Sequence, residues 1–557
     1  MPPKFDDLYR AAIQLHQSGR AVAAGRAYDE LLKMRPGHYG ALHLKGVLAL
    51  QKHDYATAVE FIGKSLKAQP RHDIALSNYG IALRALERHA EAIDALEQAV
   101  ALSPNSAEFW TNLSQTQLEA GMTREGVASS RRAIALAPER LGPRVSMIFG
   151  TNYLAEADPQ LLKADAVEYA ELVRRQVRAR THHDNDRDPE RTLCVGLVSG
   201  DFKTHPVGRF LVALLSNIDR QKVAFVGYSD SRRSDELTET IKAGCTDWRE
   251  TLDVSDADVA RLMVEDRIDI AVDLSGYTGS RRLAAFAEKP APVAFTWLGY
   301  FATTGFPEID YVLANRWVVP EAEEPQWVEK PWRLPDTYLC FTAPPDAPQP
   351  GPLPALSTGQ LTFGCFNSFD KISERTLAAW GALMAQVPNS RLILRSSGID
   401  RDQKVRTLES SLVAHGIDLA RVRVDPRIYG YAAHLKSYDE IDIALDPFPY
   451  NGGTTTVEAL YMGVPVLVRA GDRYVAHMGE SILHNAGLAD WIAPDEVAYA
   501  GLGAAKAADL EALAVLRAGM RARMLASPLF DGPRFARNFE DAMRGMWRLW
   551  CATQGRG

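Results

Sequence analysis

The chain has 557 residues, 46% hydrophobic and 24% charged, with a formal net charge of −7. That length exceeds one hydrophobic core and calls for several domains. The acidic balance leaves no global basic field to draw in nucleic acid or an anionic membrane, so an anionic ligand needs a local site. The five cysteines (Cys194, Cys245, Cys340, Cys365 and Cys551) form no C-x-x-C pair and read as reduced, buried thiols of a cytoplasmic protein. The opening residues lack a basic-then-apolar leader pattern, and no uncharged apolar run of about 18 residues predicts a membrane span.

The first quarter repeats. Pro36, Pro70, Pro104 and Pro138 recur at a spacing of 34 residues, and small residues keep the same period: Gly46, Gly80 and Ser114; Ala24, Ala58, Ala92 and Gly126; Ser65, Ala99 and Ala133. Two antiparallel helices cross closely only where small side chains line the crossing, and a proline closes each unit because it cannot extend the second helix. This is the tetratricopeptide pattern, expected over residues 1–150. Such arrays bind peptide segments or act as spacers. Residues 151–190 are expected as a helical linker ending in the polar stretch Thr181 to Thr192.

Beyond it the pattern changes to short apolar runs alternating with helical stretches, which predicts parallel sheets covered by helices. "TLCVGLVSGDF", "VAFVGYSDS", "RIDIAVDLSGYT", "APVAFTWLGY" and "IDYVLANRWVV" place one α/β lobe at 191–345. A proline-rich linker is expected over 346–360, and "LTFGCFNSFDKIS", "SRLILRSS", "ARVRVDPR", "DIALDPFPY" and "VPVLVRA" place a second lobe at 361–557. An amphipathic helix from about Pro533 to Trp550 carries Phe535, Phe539, Met543, Met546 and Trp550 on one side and is expected to seal the lobes.

Ligands on such sheets sit at the carboxyl ends of the strands. In "DPFPYNGGTTTVEALYMGVPVLV" (Asp446 to Val468) a strand ends, glycines let the backbone approach a ligand, and Thr454 or Thr455 can cap a helix whose free N–H groups favour a diphosphate. Glu458, one turn deeper, suits sugar hydroxyls. A plain turn and N-cap explains the stretch equally well. Lys371, beyond another strand end with Asn367 and Ser368, reaches the same phosphates or is a solvated surface lysine. His205, in "SGDFKTHPVGRF", is a candidate general base or a surface histidine, and His434 stacks on a base or decorates a helix surface.

Together these segments resemble the O-linked N-acetylglucosamine transferases, through "GLVSGDFKTHPVGRF", "DLSGYTGSRRLAAFAEKPAPVAFTWLGYFATTGFPEIDYVLAN", "FNSFDKIS", "LDPFPYNGGTTTVEALYMGVPV" and "SPLFDGPRFA". The resemblance implies a tetratricopeptide superhelix followed by a B-type glycosyltransferase fold, two Rossmann-like lobes facing a cleft. It implies inverting transfer of N-acetylglucosamine from UDP-N-acetylglucosamine to Ser or Thr of a polypeptide guided by the repeats, with no metal and no other cofactor. Carried over, Lys371, Thr454 and Thr455 meet the diphosphate, Glu458 stands at the ribose-binding aspartate, His434 contacts the base, and His205 lies near sugar and acceptor. Ser368 stands where the family has glutamine near the phosphates, and Gly453 where it has histidine. Around Gly453 the chain is closer to the Spindly-type protein fucosyltransferases, which leaves GDP-fucose open as the donor. A glycan or small-molecule acceptor stays open too, as does a repeat scaffold with a degenerate catalytic half.

Overall fold

The computed structural model describes residues 5–279, 281–396, 402–426 and 428–554. Contacts divide it into two compact units, Met1–Thr151 and Asn152–Gly557.

The first unit is a stack of helix pairs. Phe5–Gln17 pairs with Ala21–Met34, Tyr39–Gln51 with Tyr55–Ala68, Asp73–Ala85 with His89–Leu102, and Ala107–Glu119 with Thr123–Leu136, followed by Leu141–Thr151. Each of the four periodic prolines stands two residues beyond a helix end, at Met34, Ala68, Leu102 and Leu136. The period extends to the caps. His38, His72 and Ser106 each accept the backbone N–H three residues on. The small residues are required by close approach: a Cβ on Gly80 would lie 2.5 Å from Leu96, and one on Gly46 would overlap Ile62.

The second unit holds two parallel sheets. The first contains β1 (Leu193–Ser199), β2 (Val223–Ser229), β3 (Asp247–Glu250), β4 (Ile270–Asp273), β5 (Val293–Thr296), β6 (Tyr311–Ala314) and β7 (Lys330–Arg333), in the order β3-β2-β1-β4-β5-β6-β7. The other contains β8 (Leu361–Cys365), β9 (Ser390–Ser396), β10 (Val422–Pro426), β11 (Ile443–Leu445), β12 (Val466–Arg469) and β13 (Ile492–Ala493), in the order β10-β9-β8-β11-β12-β13. The central strands are apolar and buried on both faces, as parallel strands covered by helices must be.

The proline-rich segment is anchored. The Gly351 N–H donates to Asp439 at 2.7 Å, its carbonyl accepts from Arg517 at 2.8 Å, and Leu353 and Ala355 are buried. The last helix, Gly532–Gln554, returns to the first sheet. Phe539 packs on Phe295 and Trp297, and Glu540 accepts from the Asp219 N–H at 2.8 Å and from Lys222 at 3.1 Å. The two lobes also meet directly: Trp317 stacks on His484 at 3.6 Å, and Asn315 donates to Ser481 at 2.7 Å. No described helix is long and apolar enough to cross a membrane.

Candidate functional site

Strand order reverses beside the first strand of each sheet, between β1 and β4 and between β8 and β11. The loops leaving adjacent strands there diverge to opposite faces and open a crevice at the carboxyl ends. Nearly all the candidate residues leave β1, β8 or β11.

After β8 the chain turns through Asn367 into the short helix Phe369–Lys371. The Lys371 ammonium donates to the backbone carbonyl of Asn451 at 2.9 Å and lies 3.9 Å from the centroid of the Tyr450 ring. That ring is wedged between Phe301, 4.4 Å away, and Tyr153, 4.7 Å away. Burial pushes Lys371 down to about 8, against the pull of the Asp446 carboxylate. Asp446, the first residue beyond β11, is 1% exposed, and burial lifts its carboxyl to about 7 against a 2.7 Å hydrogen bond from the Gly452 N–H. The crevice floor is thus one lysine and one aspartate, each held away from its ordinary protonation range by desolvation.

The helix Thr454–Tyr461 starts in this crevice. The sequence expects Thr454 or Thr455 to cap it. The capping position is instead Gly453, with φ −109 and ψ −80, and no side chain covers the first N–H groups. Thr455 donates its hydroxyl to Asn367 Oδ1 at 2.8 Å, which ties the β8 turn to the helix start. The hydroxyls of Thr454 and Thr456 are buried with no hydrogen-bond partner among the described residues. An uncapped helix start beside two orphaned hydroxyls and an ammonium is a donor-rich cradle for an oxyanion. Space here is uneven: a Cβ on Gly452 would meet the Thr456 and Thr455 hydroxyls at 2.5 and 2.6 Å, while one on Gly453 meets nothing within 4 Å.

One turn deeper, Glu458 is 4% exposed and its Oε2 lies 3.2 Å from Nε2 of His434 on the helix Tyr431–Lys436. The second imidazole nitrogen, Nδ1, is buried with no partner among the described residues, and the ring sits edge-on to Tyr438.

His205 lies on the first lobe, beyond β1, as the N-cap of the helix Pro206–Leu215. Its Nδ1 accepts the Val207 N–H at 3.3 Å and lies 3.7 Å from the Asp201 carboxylate. Burial lowers its pKa more than Asp201 raises it, so the ring is neutral near pH 7. A neutral imidazole that accepts at Nδ1 carries its hydrogen on Nε2, which makes Nε2 a donor.

Lys371, Gly453, Thr454, Thr455, Glu458 and His434 are therefore gathered on one wall, with His205 on the other lobe. Ser368 is exposed and donates to Asp370 at 3.1 Å, turned out of the cradle by the direction of the turn. Sequence reasoning read Asp446 to Tyr450 only as a turn and Asn451 only as part of a close backbone approach, and gave Asn367 no side-chain role, though all four hold the cradle together. The signal present was an acid directly after a buried strand, in "ALDPFPYN". Among the described residues no group of three or more His, Cys, Asp or Glu is placed to hold a metal ion.

The chain as a whole has counterparts among known proteins. The model for glycosyl transferase family 41 matches residues 163–342 and 354–539, and a tetratricopeptide repeat model matches 75–116. The chain is 38% identical over 376 residues to the probable UDP-N-acetylglucosamine–peptide N-acetylglucosaminyltransferase SPINDLY of Arabidopsis thaliana, a match that takes in 67% of this chain and 41% of that protein. It is 26% identical over 372 residues to the corresponding probable transferase SEC of the same plant, across 65% of this chain and 38% of that one. The chain thus spans less than half the length of these relatives. A solved structure of a lysine-to-methionine mutant of the O-GlcNAc transferase of Thermobaculum terrenum superposes with a TM-score of 0.84 at 31% identity, over 93% of this chain and 98% of that one.

Proposed function

The chain belongs to glycosyl transferase family 41, and on that footing we propose that it transfers a sugar, with inversion and without a metal, from a nucleotide diphosphate sugar to a Ser or Thr hydroxyl of a polypeptide. UDP-N-acetylglucosamine is the favoured donor, in line with the activity for which the relatives are named. Its two parallel-sheet lobes form the B-type glycosyltransferase fold. The observation that carries the reading is the cradle at the β8 and β11 ends, where the Lys371 ammonium, the orphaned Thr454 hydroxyl and an uncapped helix start occur together.

Glycosyl transfer passes through an oxocarbenium-like state while negative charge builds on the departing diphosphate. Donors already aimed at that charge lower the barrier most, because nothing need reorganise as it develops. In this reading Lys371, Thr454, Thr455 and the amides after Gly453 supply them, in the role a divalent cation fills elsewhere. Asn367 and Tyr450 keep the threonine and the lysine in place. Glu458 accepts from the ribose hydroxyls, and His434 lines the base. His205, with Nε2 as a donor, orients the sugar. The repeat array engages the acceptor polypeptide.

Calorimetric titration with UDP, GDP, UDP-N-acetylglucosamine and GDP-fucose, followed by mass spectrometry of a Ser/Thr peptide library, tests the reading. Binding of UDP and its sugar with mass added to peptides supports it. Preferred binding of GDP-fucose changes the donor to the one that the Gly453 region favours, and binding of none of the four removes the enzyme.

A further inference from the structure

The first lobe approaches the nucleoside end of this site through a cation. The Arg209 guanidinium carbon lies 3.6 Å from the centroid of the Tyr431 ring, inside the range of a cation–π contact. Arg209 is half-buried and forms no ion pair among the described residues, so its charge rests on the ring of the opposite lobe. The contact joins two helices that each carry a candidate site residue. Arg209 lies one turn along the helix Pro206–Leu215 from its N-cap, and its N–H donates to the His205 carbonyl at 3.0 Å. Tyr431 opens the helix Tyr431–Lys436, one turn before His434, and its phenol is within the field of the Glu458 carboxylate.

We propose that Arg209 is a positioning residue whose stacking on Tyr431 ties the helix holding His205 at the sugar to the helix lining the nucleoside. This rests on the reading of the site given above. Neither residue need touch the donor. A nucleotide seated against His434 and Glu458 fixes the Tyr431 helix, and through Arg209 it fixes how far His205 stands from the anomeric carbon. Transfer is steeply sensitive to such a distance, since a misplacement of about 1 Å can cost roughly a hundredfold in rate. A planar guanidinium suits the task because it stacks on a ring face without needing a carboxylate.

The test is a double-mutant cycle of Arg209→Ala, Tyr431→Ala and the pair, with Arg209→Lys and Arg209→Met as variants that keep the alkyl stem should Arg209→Ala fold poorly. Affinity for UDP and GDP is measured by calorimetry, and kcat with whichever diphosphate sugar turns over. The expected result is a fall in kcat of about tenfold or more, judged from that steepness, with diphosphate affinity within about twofold of wild type. Arg209→Lys should recover part of the rate because an ammonium also binds a ring face, Arg209→Met should recover none, and the double variant should be no slower than Tyr431→Ala alone. Unchanged kcat, additive losses, or weakened affinity at unchanged kcat would overturn the inference while leaving the transferase reading intact. A wild-type protein that bound neither UDP nor GDP would remove that reading and this inference with it.

Discussion

Lys371 donates to the main-chain carbonyl of Asn451 at 2.9 Å, across 80 residues of sequence. A neutral carbonyl and the face of Tyr450 hold this ammonium in place without cancelling its charge. The nearby acid, Asp446, is itself pushed toward its neutral form by burial. The cation is therefore ready for an incoming anion before the anion arrives.

Replacing Lys371 with Met should lower turnover by roughly a hundredfold or more, the usual loss when a preorganised oxyanion donor is removed. Melting temperature should stay at the wild-type value, because the methionine fills the space over Tyr450 and releases a desolvated charge. Steady-state kinetics beside a thermal melt decide it, and near-normal turnover would remove Lys371 from the chemistry.

Diphosphate binding should depend on pH through the same residue. Burial lowers Lys371 to about 8, so the free protein loses this positive charge as pH rises through that value. UDP affinity should fall from pH 7 to pH 9.5, by up to roughly tenfold per unit above 8 if only the ammonium binds. Calorimetry in buffers of different ionisation enthalpy should show proton uptake on binding above pH 8. Lys371→Met should flatten both responses.

The two adjacent glycines should respond differently to alanine. Gly452→Ala forces a methyl against the Thr455 and Thr456 hydroxyls and toward Asn367, breaking the bond that ties the β8 turn to the helix start. A melting temperature lower by about 1–3 °C is expected, as for a loss of about 1–2 kcal/mol in a unit that runs from Asn152 to Gly557. Gly453→Ala meets open space at an ordinary negative φ and should melt with wild type.

Glu458→Ala should raise the apparent Kd for UDP or GDP by about tenfold or more, the value of one hydrogen bond to a charged group, and change kcat less than Lys371→Met does. Inorganic pyrophosphate, which has no ribose, should compete equally well against both proteins. Equal weakening of pyrophosphate would show that Glu458 acts on the cradle rather than on the sugar.

The seam between the lobes should weaken in alkali. His477 is buried between Glu480 of its own helix, at 2.6 Å, and Glu323 of the first lobe, at 2.9 Å. Burial disfavours its cation, but the two carboxylates prevail and lift it to about 9. A folded pKa above the unfolded value of about 6.5 means the contribution is complete below that pH and fades as pH climbs through 9. Melting temperature should fall by several degrees over that window, and His477→Gln should lack the dependence.

Much of the architecture was legible because it is periodic or strongly apolar. The 34-residue proline spacing marked each repeat, and the buried central strands, such as β1 and β4, are uninterrupted apolar runs. The edge strands β3 and β7 read "DWRE" and "KPWR", and pairing on one side only leaves them no such signature. The last helix displayed an apolar face, but nothing in its pattern named the first sheet as its target, and Trp547, buried with Phe539, was passed over. In the site, Lys371 and the threonines announced themselves by chemistry. Asn367 and Asp446 did not, because their work begins only when the ends of β8 and β11 lie side by side. Ser368 was grouped with Lys371 by adjacency in the turn, which does not say which way a side chain points; in the structure it is exposed and bonded to Asp370.

The route of the final helix has a consequence for how this protein comes into being. Phe295 and Trp297 find their covering partners only after the second lobe has been threaded. On a ribosome, the earlier-made sheet therefore emerges with an apolar flank bare and waits for the chain to come back. Cleavage between Phe530 and Phe535 would separate Phe535 and Phe539 from the chain that precedes them, so damage at the start of this helix should register as aggregation of a lobe encoded far upstream.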